Sequence, residues 1–485
     1  MTIRQPCPPA PGPLEAYCAA FDGCFRTLAQ RRGLREYLTG LLLPRDRNKT
    51  LTALAGAEPV VGAQGAAVQR LQFFLSEAAW EASALTAQRI AQLVADPFTA
   101  PHAEGVLVLD DTGDRKDGAA IAHVARQYLG SVGKIDNGIV AVTSLWADAR
   151  VYYPLDFEPY TTAGRLPQGK QDPAFRTKPQ IALALVERAR ATGIPFRAVV
   201  ADSAYGENLE LERTLMRAHI PHVLAHRGAV GRCWAPADQA HSFVEAIETL
   251  VPADWVRVVR QFRDGRTETW WAAELCFGGY GSTRATRAVV ATTDRDTLPA
   301  LSTWYLTTNL SVADAPLAEV VRLYGLRVWV EEGYKRVKGE LGWADFQVRS
   351  DRAIRRHWAL VCCAFCFCWW HEGRPGPSPS DASTPAVSAS HALGAASVTE
   401  SSPTRGENQR AGPPARPRRV RRAALARRAA TRPRVARAVV VARAAHALVE
   451  RLEHGAPAAG RRRAPASSDQ RHRARPVRPD LTDHR

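Results

Sequence analysis

The stretch Tyr324-Gly-Leu-Arg327-Val-Trp-Val-Glu331-Glu-Gly-Tyr-Lys-Arg-Val-Lys338 sets four polar side chains at successive offsets of 3, 4 and 7. At about 100° per residue these lie roughly 300°, 340° and 320° from the first, so the spacing predicts one helix with all four on one side. That face carries an acid between two bases. Alone it is the ordinary solvated stripe of a surface helix. It gains chemical meaning only if other acids converge on it.

Two candidates lie upstream. The apolar run Gly105-Val-Leu-Val-Leu109 leads into Asp110-Asp111-Thr-Gly-Asp114, and Phe196-Arg-Ala-Val-Val-Ala201 leads into Asp202-Ser-Ala-Tyr-Gly206. Aliphatic and β-branched runs closed by Asp and Gly are expected where a strand of an α/β sheet runs out into a loop. Most such aspartates are turn or helix caps. Carboxylates at strand ends beside a helical Glu are also what a hard divalent cation needs, and a pair of such ions about 4 Å apart serves phosphodiester chemistry.

Order and spacing together carry a resemblance. Asp111, Asp202 and Glu331 follow one another in strand, strand and helix contexts. With Tyr-x2-Arg-x3-Glu-x6-Lys matched at every position, the chain resembles the DDE-type insertion-sequence transposases of the cut-and-paste group, over roughly residues 15 to 370. Asp111-Thr112, the Val199-Val-Ala-Asp202 strand end and the Trp304-Tyr-Leu-Thr-Thr-Asn309 strand resemble the same family. Strand alternation leaves Asp110 and Asp111 open, because both faces of the preceding run are apolar. The resemblance favours Asp111, the acid directly before Thr, and its spacing favours Glu331 over Glu332.

The resemblance implies a ribonuclease-H-like α/β catalytic core in which Asp111, Asp202 and Glu331 hold two Mg²⁺, with Mn²⁺ able to substitute. It implies cleavage at the terminal inverted repeats of an insertion sequence and strand transfer into target DNA. Tyr324, Arg327 and Lys338 would contact DNA phosphate, chemistry that a guanidinium, an ammonium and a phenol suit. Trp304 resembles the position where an aromatic residue steadies a flipped base; ordinary core packing competes, and Trp270 or Trp271 could take that role. Synapsis of two ends implies a homodimer on double-stranded DNA. A catalytically silent repressor and a nuclease without joining activity are the rival readings.

The net charge is +17, but residues 373–485 contribute +15 of it through 23 Arg against 8 acids. The rest is nearly neutral, so DNA contacts there must come from local clusters, with Arg349, Arg352, Arg355, Arg356 and His357 or Arg45, Arg47 and Lys49 as candidates. The tail lacks Phe, Tyr, Trp and Cys and cannot bury enough apolar area to offset chain entropy, so the composition predicts disorder, with room for a short helix at 435–452. A basic DNA-binding arm and a frame-changed end both fit it. Cys362, Cys363, Cys366 and Cys368 sit in an apolar run that predicts a buried helix of reduced thiols rather than a zinc site. With no secretory apolar start and no run long enough to span a bilayer, the expected location is cytoplasmic, at the nucleoid.

The expected division is a helical N-terminal domain at 1–100, the first part of the core at 101–213, a β-rich insertion at 214–312, the last part of the core at 313–372, and the basic tail at 373–485. In the first region Leu14 to Leu43, interrupted near Gly33, and Ala66 to Leu93 show helical periodicity. That domain would recognise DNA ends or serve as a structural cap. If the tail is only an arm, deleting residues 373–485 lowers nonspecific DNA affinity and flattens its salt dependence, yet spares metal-dependent nicking; filter binding and a plasmid nicking assay measure the two separately.

Overall fold

A computed structural model describes residues 12–228, 242–262, 265–275 and 286–374. The tail from residue 375 on, with the helix expected at 435–452, lies outside the described residues.

Five helices come first: α1 (Pro13–Ala19), α2 (Leu28–Leu42), α3 (Leu51–Leu54), α4 (Ala66–Ser76) and α5 (Ala82–Ala95). Helix α2 begins at a capping box, in which Thr27 and Gln30 satisfy each other's backbone amides. It runs unbroken through Gly33, where an interruption was expected. A Cβ there would lie 2.5 Å from the Phe74 ring, so this glycine permits close packing of α2 on α4 and does not break the helix. The break falls earlier, between Ala19 and Leu28.

Strands β1 (Val106–Arg115), β2 (Ala125–Leu129), β3 (Lys134–Ala147) and β4 (Tyr152–Tyr160) form an antiparallel set, and helix α6 (Lys178–Ala191) crosses to β5 (Ala198–Ala201), which lies parallel to β1. After α7 (Ser203–Gly206) and α8 (Leu209–Arg217), β6 (His222–His226) pairs parallel with β5. This mixed α/β order is consistent with a ribonuclease-H-like core. Strand β1 does not stop at the acids as the apolar run suggested. It continues to Arg115 because β3 pairs with it throughout, whereas β5 leaves it after Leu109↔Ala201.

The strand-rich segment expected as an insertion supplies α9 (Phe243–Glu248), β7 (Val256–Gln261), β8 (Thr267–Leu275), β9 (Arg287–Thr292) and β10 (Thr303–Thr308). These strands build no separate sheet. β10 pairs with β6, so a single ten-stranded sheet runs in the order β2-β3-β1-β5-β6-β10-β9-β8-β7, with β4 on β3. The far strands do have two small apolar clusters of their own, around Phe243 and around Trp270.

The chain then forms α10 (Leu317–Gly325), α11 (Val328–Gly339) and α12 (Asp351–Glu372). The expected single helix through Tyr324 and Lys338 is therefore two. In an unbroken α-helix the Gly325 carbonyl would accept from Trp329; instead Arg260 of β7 donates to it at 3.3 Å, while the Trp329 amide turns to Leu326. Only glycine lets the Arg260 guanidinium approach, since a Cβ at Gly325 would sit 2.6 Å from it.

Helix α12 is the central post. Its cysteines are buried free thiols, as expected, and one apolar cluster reaches from Leu14 through the sheet to Trp369. None of the described helices is long and apolar enough to cross a membrane. The two basic clusters expected to meet DNA are largely consumed inside. Arg356 donates to the carbonyls of Leu75, Ala78 and Trp80, His357 bonds Tyr37 and the Gly342 carbonyl, and Lys49 caps the C-terminal carbonyls of α2. Loop carbonyls buried where the helices meet need donors, and these long side chains supply them. Arg356→Leu should cost about 2 kcal/mol or more in urea unfolding, because it removes the donor shared by three buried carbonyls, of which Ala78 alone keeps another partner, the Trp80 amide; a loss under about 1 kcal/mol would refute this role.

Candidate active site

The sheet opens where β5 ends. Immediately beyond the last β1–β5 pair, Leu109↔Ala201, come Asp110 and Asp111 on β1 and Asp202 on the chain leaving β5. Asp202 caps α7 by accepting from the Ala204 amide at 3.0 Å. Helix α7 is pressed so closely on β6 that a Cβ at Gly206 would lie 2.0 Å from the Ala225 carbonyl oxygen, which fixes the turn carrying Asp202 and Tyr205.

The neighbouring aspartates point to opposite faces of the strand and meet different cations. Arg327, the residue capping α11, reaches Asp110 at 2.9 Å and Asp202 at 3.5 Å through Nη2, and Glu331 at 3.3 Å through Nη1. Asp111 instead takes the Lys178 ammonium at 3.0 Å, with the Tyr205 hydroxyl at 3.5 Å. The expected Asp111, Asp202, Glu331 and Arg327 are thus brought close, but in two groups. One guanidinium gathers Asp110, Asp202 and Glu331, while Asp111 sits beyond them with a lysine.

Burial decides the electrostatics. Desolvation pushes Asp110 up to about 7, against the pull of Arg327 and with a further upward push from Asp202 and Asp111. Asp202 is raised for the same first reason. Burial works against the charge on Arg327, but Asp110 and the other acids outweigh it and leave its pKa raised. Burial also raises the Tyr324 phenol to about 12, so it remains a neutral hydroxyl.

The remaining expected residues flank this centre. Lys338 pairs with Asp114 at 2.7 Å and donates to the Gly113 carbonyl at 2.9 Å, which ties α11 to the far end of β1. Trp304 is half-buried, with its ring 4.0 Å from Trp270, 4.9 Å from Tyr324 and 4.9 Å from the Arg260 guanidinium. Trp271, the other named alternative, stacks with Arg295 instead.

Sequence reasoning missed Lys178, Tyr205 and Arg260. One signal did exist for Lys178. It follows the helix cap Thr177 directly, and the positive end of the α6 dipole is a poor place for a cation unless an acid faces it.

The donors are all carboxylate oxygens, the chemistry of hard divalent ions, and three of them already share one cation. Even so, among the described residues no three His, Cys, Asp or Glu side chains stand ready as ligands of one ion. Arg327 stands between them. A large mixed sheet with acids at its strand ends is consistent with the core of a DDE enzyme, and comparison with known proteins shows that family. Residues 20–229 match the family model described as DDE superfamily endonuclease, and residues 161–367 match the transposase DDE domain.

The chain belongs to the DDE-type insertion-sequence transposases, enzymes of DNA phosphodiester cleavage and transfer whose superfamily depends on divalent metal. It is similar to a probable transposase for insertion sequence element IS701 from Microchaete diplosiphon, at 32% identity over 349 residues that cover 71% of this chain and 84% of that protein.

The raised Asp110 has a measurable consequence. A carboxyl elevated in the folded state contributes stability that is complete below its unfolded value near about 4 and is lost as pH rises through its folded value. Between pH 4 and 7 the wild type should therefore lose roughly 1–4 kcal/mol of unfolding free energy relative to Asp110→Asn. Denaturant titrations at several pH values compare the two, and equal slopes would exclude a raised Asp110.

Proposed function

We propose that the protein cuts DNA at the terminal inverted repeats of an insertion sequence and joins the freed ends to target DNA, with Asp111, Asp202 and Glu331 as the metal-holding triad. The observation that carries this reading is the meeting of Asp202 and Glu331, far apart in the chain, on one guanidinium beside the β1 acids. The choice of Asp111 rests on the resemblance around Asp111-Thr112. Its solvent-facing pair with Lys178 supports it, since Asp110 is the more buried of the two and is engaged by Arg327.

The three carboxylates would hold two Mg²⁺, with Mn²⁺ substituting. Bound there, the ions would activate a water or 3′ hydroxyl and stabilise the leaving oxyanion. Arg327 has its charge already desolvated and aimed at the acids, so it is placed to take the scissile phosphate when it leaves them. Tyr324 offers a neutral hydroxyl, and Lys338 a cation at the Asp114 end of β1. Trp304, half-buried beside Tyr324, would stack with a displaced base.

The N-terminal region 1–100 would read the DNA ends, and 214–312 would act as a β-rich insertion between the two parts of the core. Two copies of the chain would hold two ends in synapsis.

Asp111→Ala, Asp202→Ala and Glu331→Ala should each lower cleavage by about 10³-fold or more while leaving DNA binding within a few-fold of wild type. A supercoiled plasmid carrying candidate ends, incubated with Mg²⁺ or Mn²⁺, reads out the activity. Excision with insertion supports the reading; cutting alone would indicate a nuclease, and binding alone a repressor. Normal cleavage by any one variant removes that residue from the triad.

A further inference from the structure

Every acid of the site has a cation, but the two cations are not alike. Arg327 is enclosed, with 16% of its side chain exposed, and it is shared among three carboxylates. Lys178 is 30% exposed, touches one carboxylate, and stands in the first turn of a 14-residue helix. The helix dipole opposes a positive charge there, so Asp111 is what makes the position tolerable. The ring of Tyr160, 5.7 Å from the ammonium, adds only a weak second attraction.

An ammonium 3.0 Å from the Asp111 carboxylate competes for the lone pairs that a divalent ion would use, and its charge repels that ion. The conflict ends if the ammonium moves to another anion. Its four-carbon stem allows such a swing without moving the helix, and the anion that enters this side of the site together with the metal is a DNA phosphate.

Resting on the metal-triad reading above, we propose that Lys178 is a phosphate-binding residue of the reaction centre, held on Asp111 in the free protein and transferred to the DNA backbone when DNA and metal bind together. Lys178 then works from the α6 side, opposite Arg327, Tyr324 and Lys338 on the α10–α11 side. It also couples the two ligands. Without DNA it weakens metal binding; with DNA it is drawn away and adds a phosphate contact. By linkage the metal strengthens DNA binding by the same factor.

The test uses the full chain and Mn²⁺, titrated by electron paramagnetic resonance with and without a 40-base-pair duplex covering the element's terminus. In wild type the duplex should tighten Mn²⁺ binding roughly five- to a hundredfold. Lys178→Met should bind Mn²⁺ more tightly than wild type when DNA is absent, and should lose most of the gain when DNA is added. Its DNA affinity should also fall less steeply with salt, by a logarithmic slope of about 0.9 for the lost phosphate. Lys178→Arg, which keeps the charge, should restore the slope. Lys178→Gln repeats the measurement if the Met variant does not fold, and circular dichroism establishes folding for each.

Unchanged Mn²⁺ affinity in the DNA-free Met or Gln variant, with the duplex effect and salt slope intact, overturns the proposal. Asp202→Ala separates this from failure of the underlying reading. If it still binds Mn²⁺ like wild type, the metal triad is wrong; if it loses Mn²⁺ while the Lys178 variants behave as wild type, only the role of Lys178 is wrong.

Discussion

The Arg327 guanidinium holds carboxylates from β1, from the end of β5 and from α11 in one place. Without it, three acids at the open edge of the sheet would repel one another, two of them partly desolvated. The balance shows in Asp110, where burial outweighs even a guanidinium at 2.9 Å and leaves the carboxyl near 7. Arg327 reaches all three because the helix around it is interrupted. Arg260 takes the Gly325 carbonyl, the α10–α11 junction tightens to three-residue bonds, and the guanidinium is turned into the site from a helix cap. A strand at the far side of the sheet thereby bears on how the acids are gathered.

The sheet does the corresponding work for the aspartates. An acid in the interior of a fully paired strand would be buried between neighbours, and an acid in a free loop would lack a fixed direction. Here β1 keeps β3 on one side and loses β5 on the other, so Asp110 and Asp111 have strand geometry with no paired strand on that side, where the side chains of α11 and α6 meet them instead. The close contact of Gly206 with β6 fixes Asp202 and Tyr205 against the same opening. Much of the remaining basic side-chain chemistry is spent on architecture, as with Arg356 and Lys49, whose donors go to the carbonyls of neighbouring helices and loops. On the proposed reading, the near-neutral core would leave its few site-facing cations with a large share of phosphate recognition.

Much of this was readable from local pattern. The aliphatic runs at 105–109 and 196–201 became strands, though β1 runs on past its acids, and the helical periodicity within 66–93 became α4 and α5, because each pattern reports burial on the faces that the rest of the fold then covers. Patterns failed where a residue's role depends on something distant in the chain. Gly33 reads as a helix breaker until Phe74 packs on it, and Gly325 reads as an ordinary helical residue until Arg260 arrives. Arg355 and His357 read as a charged surface until Glu158 and Tyr37 meet them.

By itself the sequence determined that strand-end acids and a helical acid occur in the order of a DDE enzyme, since residue type, spacing and periodicity are properties of the chain alone. Only the tertiary structure decided which cation each acid meets. Asp110 and Asp111 are adjacent and chemically identical, yet one turns to Arg327 and the other to Lys178. Alternation along a strand guarantees that they face apart, but which element covers each face is settled by how α6 and α11 pack on opposite sides of the sheet.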